Sequence, residues 1–135
     1  AMRTAALSGV DVRLMIPYET DTKIVEWASR TYVLATVKAG VKVYLYKAGF
    51  NHSKLLVADD SIATIGSTNV DFRSFENDFE ANAFFYDKKI ALNVKDIFLK
   101  DQEECVALED VRNLTHRSFL QRLWESIVRL LSPLL

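Results

Sequence analysis

A strand, a helix and a second strand follow one another early in the chain, and this order constrains the fold more than any other feature. Residues 10–16 alternate apolar and polar side chains, the period-two pattern of a strand, and Pro17 ends it. Apolar residues then recur at helical spacing over roughly eighteen residues until Gly40 ends the helix. Residues 41–46 are the second predicted strand. Strands joined through a helix run parallel in one sheet, so the pattern predicts an α/β fold.

The middle of the chain predicts an antiparallel hairpin followed by a helix. Residues 52–58 and 62–65 are the hairpin strands, and a pair of aspartates forms the tight turn between them. Residues 69–75 are predicted to be a loop or a short helical turn, and residues 79–86 a fifth strand rich in aromatic residues. An amphipathic helix is predicted at 88–104. Its expected apolar side carries Ile90, Val94, Ile97 and Phe98. Together the elements predict a mixed β-sheet flanked by helices.

Length and hydrophobic content indicate one folded domain over residues 1–135. Half of the 135 residues are hydrophobic, which is enough to bury a core. We expect that core over residues 1–104 and a helical C-terminal segment over 105–135. An apolar stripe at 119–131 is expected to pack on the sheet or on another part of the protein, although its arginines would also suit an anionic membrane surface. Because Ala1 precedes Met2, we expect the chain to be a piece of a longer protein.

Charge and cysteine content argue against several classes of protein. The net charge of -1 disfavours a general nucleic-acid binder, which usually carries a basic excess. Cys105 is the single cysteine, so an internal disulfide is excluded. The sequence lacks the cysteine and histidine spacings of a structural zinc site, and it lacks an apolar run of about eighteen residues that would predict a transmembrane helix in this piece.

The residues best suited to chemistry lie between positions 52 and 69. His52 and Lys54 are two apart on a predicted strand, so their side chains are expected on one face of it. An imidazole can bond to phosphorus or move a proton near neutral pH, and an ammonium group beside it can hold a phosphate oxygen. Ser67 and Asn69 follow a glycine at a strand end and can donate hydrogen bonds to the same oxyanion. Asp59 lies in the hairpin turn, where ordering the local structure is a more natural role than contacting substrate.

These positions resemble the signature of the phospholipase D superfamily. Residues 52–69 have the sequence H-S-K-L-L-V-A-D-D-S-I-A-T-I-G-S-T-N, and the superfamily pattern is H-x-K-x4-D-x6-G-S-x-N. A coincidental hairpin with an exposed His52 and Lys54 would rarely match all six specified positions. The resemblance also implies a role for Glu80, because a glutamate near this place in the superfamily accepts a hydrogen bond from the motif histidine. Such a carboxylate fixes the histidine tautomer and raises its basicity. The alternative is a solvated glutamate at the end of a strand.

The flanks of the motif resemble bacterial cardiolipin synthases. Residues 69–75, N-V-D-F-R-S-F, are similar to that family's N-L-D-x-R-S-F. Val70 departs from the usual leucine and Phe72 from the usual small residue or proline, but neither change removes a catalytic group. The other similar segments are residues 7–13, 16–17, 39–44, 49–52 and 130–135. The resemblance therefore covers nearly the whole chain.

The resemblance implies one half of a two-domain enzyme with an α/β/α sandwich fold. In this family each domain carries one motif, and the two motifs share an active site. One histidine attacks phosphorus and forms a phosphohistidine, while the other protonates the leaving group and then deprotonates the acceptor. A phosphatidyl group passes from one phosphatidylglycerol to another and glycerol leaves, without a metal or other cofactor. We expect His52 to be the general acid/base, and the two histidine roles can also be reversed. The implied catalytic residues are His52, Lys54, Asp59 and Glu80, and the implied phosphate-binding residues are Lys54, Ser67 and Asn69.

The resemblance also implies partners and a location. We expect phosphatidylglycerol or another anionic phospholipid as the substrate, the N-terminal half of the same chain as the partner, no nucleic acid, and the bacterial inner membrane as the place where the full-length protein works. His116 is the other histidine and lacks a lysine at the motif spacing, so it is predicted to be a surface or helix-start residue. One motif alone is expected to be inactive unless two copies pair so that both His52 side chains face one phosphate.

Two alternatives to phosphatidyl transfer stay open. The protein can be another phosphodiesterase of the superfamily, a phospholipase or a nuclease, in which water, another alcohol or a nucleic acid takes part. It can also be a non-catalytic half that binds phosphate or holds an assembly together, which the intact motif disfavours.

Overall fold

The computed structural model describes residues 1–19, 32–70 and 72–110, and they divide into two compact units. One unit contains Ala1–Phe50 and the chain from Cys105 onward, and the other contains Asn51–Glu104. The strands are β1 (Arg13–Pro17), β2 (Lys42–Tyr46), β3 (Leu55–Ala58), β4 (Ile62–Gly66), β5 (Asn82–Phe85) and β6 (Cys105–Ala107). The helices are α1 (Met2–Leu7), α2 (which includes residues 32–38), α3 (Phe72–Glu76) and α4 (Lys88–Glu103), and a 3₁₀ turn spans Leu108–Asp110. The predicted α/β class is confirmed.

The sheet of the first unit has the strand order β1-β2-β6. β1 runs parallel to β2, with Leu14 opposite Val43, and β6 runs antiparallel to β2, with Leu45 opposite Val106. α2 lies in the connection between the two parallel strands, and Gly40 follows it with a φ of 93°. Glycine adopts this left-handed conformation without the steric cost that other residues incur, so it ends the helix. The predicted parallel pair is therefore confirmed, and β6 makes the sheet mixed.

The core of the first unit forms around its central strand. Val43 and Leu45 of β2 are buried together with Val41 and Leu108. β2 has a neighbouring strand on both sides, so its inward side chains are well covered. Val37 of α2 packs against the same cluster. Burying one such side chain contributes about 1.5–3 kcal/mol, more than a typical surface contact.

The sheet of the second unit has the order β3-β4-β5 and is antiparallel throughout. β3 and β4 form the predicted hairpin, in which Ala58 pairs with Ile62. Asp59 and Asp60, in the connecting turn, have φ values of 50° and 55°. Aspartate tolerates this region better than most residues because its short side chain can hydrogen-bond locally. The hairpin and its turn are therefore confirmed.

Helix α4 covers one face of this second sheet. It begins after Asp87, whose carboxylate accepts a 2.9 Å hydrogen bond from the backbone N–H of Ile90 and so caps the helix. Ala91 and Val94 of the helix are buried against Ala63 of β4. The small alanines let the helix backbone approach the sheet closely. The helix begins at the predicted residue 88 and ends at Glu103, one residue before the predicted end.

Several element boundaries differ from the predictions for local reasons. β3 begins at Leu55 rather than at residue 52, because the Ser53 N–H donates to the Asn51 side chain at 2.9 Å instead of joining a strand ladder. β5 begins at Asn82 rather than at residue 79, because the Ala81 N–H donates to a side-chain hydroxyl. In both segments a side chain accepts a backbone N–H that a strand ladder would otherwise use.

The buried face of α4 and two short elements also differ from the predictions. Ala91 and Val94 form the buried face, whereas Ile90 and Ile97 are 38% and 46% exposed. α1 was not predicted, and neither was β6, so the segment expected to be helical from residue 105 begins with a strand. The remainder of that segment lies outside the described residues, including the apolar stripe at 119–131 and His116. Within the described residues, no helix has the length and apolar character needed to cross a membrane.

Candidate active site

The motif begins in an extended segment that leads into β3. His52 is exposed and Lys54 is half-buried. The Lys54 carbonyl accepts a 3.0 Å hydrogen bond from the Gly66 N–H, so pairing with β4 continues one residue beyond the regular strand. His52 and Lys54 therefore precede the regular strand, so the prediction that the strand begins at residue 52 is wrong. That the two side chains share a face stays a prediction.

Lys54 contacts the histidine segment directly. Its Nζ donates a 2.8 Å hydrogen bond to the His52 backbone carbonyl. An ammonium group has three N–H donors, and no further acceptor for them lies among the described residues. The lysine thus fixes the backbone at His52 and retains donors and positive charge that an anion can use.

Glu80 is held by two serine hydroxyls. Ser67 Oγ donates to one carboxylate oxygen, and Ser74 Oγ donates to the other at 2.8 Å. These hydrogen bonds from Ser67 and Ser74, with a smaller contribution from the positive charge of Lys54, lower the pKa of Glu80 below its ordinary value. Partial desolvation opposes this shift, and the hydrogen bonds outweigh it. Glu80 is therefore a carboxylate at neutral pH.

Ser67 joins the motif to the segment before β5. Its N–H donates to the Ala81 carbonyl at 3.0 Å, and its Oγ accepts from the Ala81 N–H at 3.0 Å. A hydroxyl has a single proton, which this one gives to Glu80. While that hydrogen bond lasts, Ser67 cannot also donate to a phosphate, so its predicted phosphate contact would require the proton to turn away from Glu80.

Gly66, the glycine of the motif, lies where β4 meets the segment before β5, and a side chain would not fit there. A Cβ on Gly66 would collide with the Ala81 carbonyl and with the Asn82 side-chain amide. Asn82 itself hydrogen-bonds the Thr68 hydroxyl. Only a residue without a side chain allows β4 and β5 to approach closely here, and this approach brings Ser67 to Glu80.

Asn69 is tied to Ser74, a residue that the sequence did not single out. The Asn69 N–H donates to Ser74 Oγ at 3.2 Å. Ser74 is 7% exposed and is the one buried polar residue in the described part of the chain. A serine flanked by apolar and charged residues gives no period or spacing signal, but Ser74 does lie in the R-S-F segment whose resemblance was noted above.

Asp59 lies apart from these residues. It follows Lys54 by five positions along an extended strand, which corresponds to ~16 Å at about 3.3 Å per residue. Its turn is held by a 2.6 Å ion pair between Asp60 and Lys95 of α4. The structure therefore brings together Lys54, Ser67 and Glu80 and leaves Asp59 at the far end of the hairpin, where it shapes the turn.

The site is built from protein groups with no metal cluster among them. No group of three or more potential metal ligands occurs within residues 1–19, 32–70 and 72–110. Lys54, with its remaining donors, and the exposed imidazole of His52 provide a cationic donor and a titratable nitrogen close in sequence. Together with a fixed carboxylate, such groups can bind a phosphate and move a proton.

Comparisons with known proteins identify the family of this chain. A family model described as "Cardiolipin synthase, PLD-like domain" matches residues 1–102. A cardiolipin synthase of Clostridium perfringens (strain SM101 / Type A) is 44% identical over 135 residues, with 100% of this chain and 28% of the relative covered. The major cardiolipin synthase ClsA of Bacillus subtilis (strain 168) is 46% identical over 140 residues, with the same two shares covered. A cardiolipin synthase of Geobacillus kaustophilus (strain HTA426) is 48% identical over 136 residues, covering 100% of this chain and 27% of the relative.

The chain belongs to the family of cardiolipin synthase, phospholipase D-like domains. It spans a little over a quarter of the length of the curated relatives that it matches. The resemblance inferred from the motif and its flanks is thereby confirmed. The individual roles of His52, Lys54, Asp59, Ser67, Asn69 and Glu80 stay predictions.

Proposed function

We propose that this chain is the C-terminal phospholipase D-like domain, over residues 1–135, of a longer two-motif enzyme that makes cardiolipin. The observation that carries the proposal is the match to cardiolipin synthases over the full length of this chain, at 44–48% identity in the three relatives above. The arrangement of Lys54, Ser67 and Glu80 supports it, because these groups suit a phosphodiester substrate. The substrate is phosphatidylglycerol, and the N-terminal half of the same protein supplies the second motif.

The reaction proceeds in two displacements at phosphorus. A histidine of the N-terminal half attacks the phosphorus of one phosphatidylglycerol, which forms a P–N bond and breaks the P–O bond to the terminal glycerol. His52 donates a proton to the departing glycerol oxygen. His52 then removes a proton from the hydroxyl of a second phosphatidylglycerol, whose oxygen attacks phosphorus and breaks the P–N bond. Cardiolipin and glycerol result, and both histidines return to their starting states.

The other residues act by position and charge. Lys54 holds a non-bridging phosphate oxygen with the donors that His52 does not occupy, and Asn69 donates to the same group. Glu80 stays ionised through its hydrogen bonds with two serines and accepts the imidazole N–H of His52 when substrate is bound. The carboxylate then stabilises the imidazolium form that the proton transfers require. Asp59 contributes by shaping the hairpin.

The place of action follows from the substrate. Phosphatidylglycerol resides in a bilayer, so we place the full-length protein at the bacterial cytoplasmic membrane. A symmetric pair of these chains, with two His52 side chains facing one phosphate, is a further arrangement that would supply both histidines.

The experiment that tests this function is the identity of the products. The purified full-length enzyme is mixed with vesicles of phosphatidylglycerol, and cardiolipin, phosphatidic acid and glycerol are quantified. We expect one glycerol for each cardiolipin and no phosphatidic acid. Phosphatidic acid as the main lipid product would identify a hydrolase, and cleavage of DNA without any lipid product would identify a nuclease.

A further inference from the structure

We propose that Ser74 is a positioning residue of the active site, which couples the loop ending at Asn69 to the carboxylate of Glu80. The proposal rests on the proposed function, because it assigns Ser74 to the same phosphate site. Ser74 lies outside the six motif positions, on the short helix α3.

The position of the Ser74 hydroxyl is the first argument. Its Oγ lies 2.8 Å from Glu80 Oε1 and 3.2 Å from the Asn69 nitrogen, so it links a segment that precedes it in the sequence to one that follows it. Ser74 is 7% exposed, so water competes little for these contacts.

The direction of the two hydrogen bonds is the second argument. An ionised carboxylate only accepts, so the Ser74 proton must point at Glu80. The lone pairs then face the Asn69 N–H, which only donates. The hydroxyl has one arrangement that satisfies both neighbours, and this arrangement fixes the backbone at Asn69 relative to Glu80.

The effect on Glu80 is the third argument. Ser67 binds one of its oxygens and Ser74 binds the other, so the carboxylate plane is fixed at both ends. Without the Ser74 hydroxyl, Glu80 keeps one of these donors and can rotate about it, and the Asn69 N–H loses its acceptor. A carboxylate that must meet a histidine N–H in one orientation loses efficiency when it rotates.

The test uses the full-length enzyme with Ser74→Ala, Ser74→Thr, Glu80→Gln and the double variant Ser74→Ala/Glu80→Gln. Ser61→Ala is the matched control, because it removes an exposed hydroxyl from the hairpin turn of the same unit. Thermal unfolding is measured for every variant, and rates are expressed per folded enzyme. Cardiolipin formation from phosphatidylglycerol is followed beside hydrolysis of bis(p-nitrophenyl) phosphate, a soluble phosphodiester.

We expect Ser74→Ala to lower kcat by about 10- to 100-fold with little change in KM, as loss of a supporting hydrogen bond does at other sites. Ser74→Thr keeps the hydroxyl and should recover much of the loss, and Ser61→Ala should match the wild type. The Ser74→Ala change should slow Glu80→Gln by much less than it slows the wild type, because most of the effect of Ser74 acts through Glu80 and only the contact with Asn69 is then left to lose.

The pH profile gives a readout that a merely structural role would not move. Lys54 is the charged group among the described residues that acts on Glu80, and it is unchanged in Ser74→Ala. Loss of one hydroxyl donor raises the pKa of Glu80, so the lowest part of the acid limb of kcat/KM, where Glu80 takes up its proton, should move to higher pH in Ser74→Ala. Wild-type rates in Ser74→Ala would overturn the proposal. So would a profile of unchanged shape, or losses that multiply in the double variant.

The two assays separate this proposal from the proposed function. If the wild type hydrolyses the soluble diester but makes no cardiolipin, the proposed function is wrong. The positioning role of Ser74 is then tested by the rates at which the variants hydrolyse the diester. If the wild type makes cardiolipin but the Ser74 variants do not show the expected differences in rate, only the positioning role of Ser74 is wrong. A wild type inactive in both assays would overturn both.

Discussion

The two units of the molecule use their charged residues in different ways. In the first unit, Arg13 and Lys42 are directly opposite each other on neighbouring strands, where like charges repel. Asp11 forms ion pairs with both, at 2.8 Å and 2.9 Å. In the second unit, Lys54 acts on Glu80 through its charge but forms no ion pair within the described residues.

This difference distinguishes charges that stabilise a fold from charges that are kept for a ligand. Asp11 contacts both cations directly, so each of them has a carboxylate partner within the protein, although the three groups together keep a net positive charge. Glu80 is instead satisfied by neutral hydroxyls from Ser67 and Ser74, which leaves the Lys54 ammonium for an anion. Substitution of Asp11 should therefore affect stability, and substitution of Lys54 should affect chemistry.

Among the substitutions that test this comparison, Lys54→Ala is expected to have the largest effect, a loss of activity. Loss of the ammonium group removes the proposed donor to the phosphate and the hydrogen bond that fixes the His52 carbonyl. We expect kcat for cardiolipin formation by the full-length enzyme to fall about 10²- to 10³-fold. The matched control is Lys95→Ala, which removes a lysine that pairs with Asp60 in the same unit. Equal losses in the two variants would show that the effect is not specific to the site.

A smaller effect, on stability rather than chemistry, is expected from Val43→Ala. Val43 is 4% exposed in the core of the first unit, so truncation leaves a cavity. We expect the free energy of unfolding of this chain to fall by about 2 kcal/mol in urea titrations. The same substitution at Val70, which is 70% exposed, should change it by less than about 0.5 kcal/mol. Similar losses at the two positions would contradict the assigned core.

The smallest effect is expected from Asp11→Asn. Its ion pairs are exposed, so their loss should cost less than about 1 kcal/mol and should shrink further in about 1 M salt. Hydrogen bonds from Arg13 and Lys42 lower the pKa of Asp11 from 3.8 to about 2.

The sign of the pH dependence of Asp11 follows from this lowered pKa. The unfolded chain binds the proton first as the pH falls, so the stabilisation by Asp11 is full above about pH 4 and is lost as the pH falls through about 2. Urea unfolding of wild type and Asp11→Asn between these values should therefore converge at low pH. A difference that grows on acidification would contradict the assignment.

The parts of the fold that local patterns specify were predictable from the sequence. The sequence shows a clear apolar periodicity in the parallel pair, the hairpin and α4. Residues that end an element, such as Gly40 after α2, mark their limits. β6 has three residues, too few for a period, and it exists because β2 pairs with it from far along the chain. The start of β3 was predicted three residues early, because a local hydrogen bond between Ser53 and Asn51 replaces a ladder bond.

The sequence predicts the candidate site as a set of residues but not as a hydrogen-bond network. The spacing of the motif identified His52, Lys54, Ser67 and Asn69, and the resemblance added Glu80. The contacts of Ser67 with Glu80 depend on β4 pairing with β5, which joins positions thirteen apart, and no local pattern encodes that. Ser74 was missed for the same reason, because its role exists only after α3 and the segment before β5 come together.

The most direct test of the central claim is His52→Ala in the full-length enzyme, assayed for cardiolipin formed from phosphatidylglycerol vesicles. His116→Ala is the matched control, because it removes the other histidine of this chain. We predict that His52→Ala abolishes cardiolipin formation while its thermal unfolding matches the wild type, and that His116→Ala stays active. A folded His52→Ala enzyme that makes cardiolipin at the wild-type rate would contradict the assignment of the chemistry to this site.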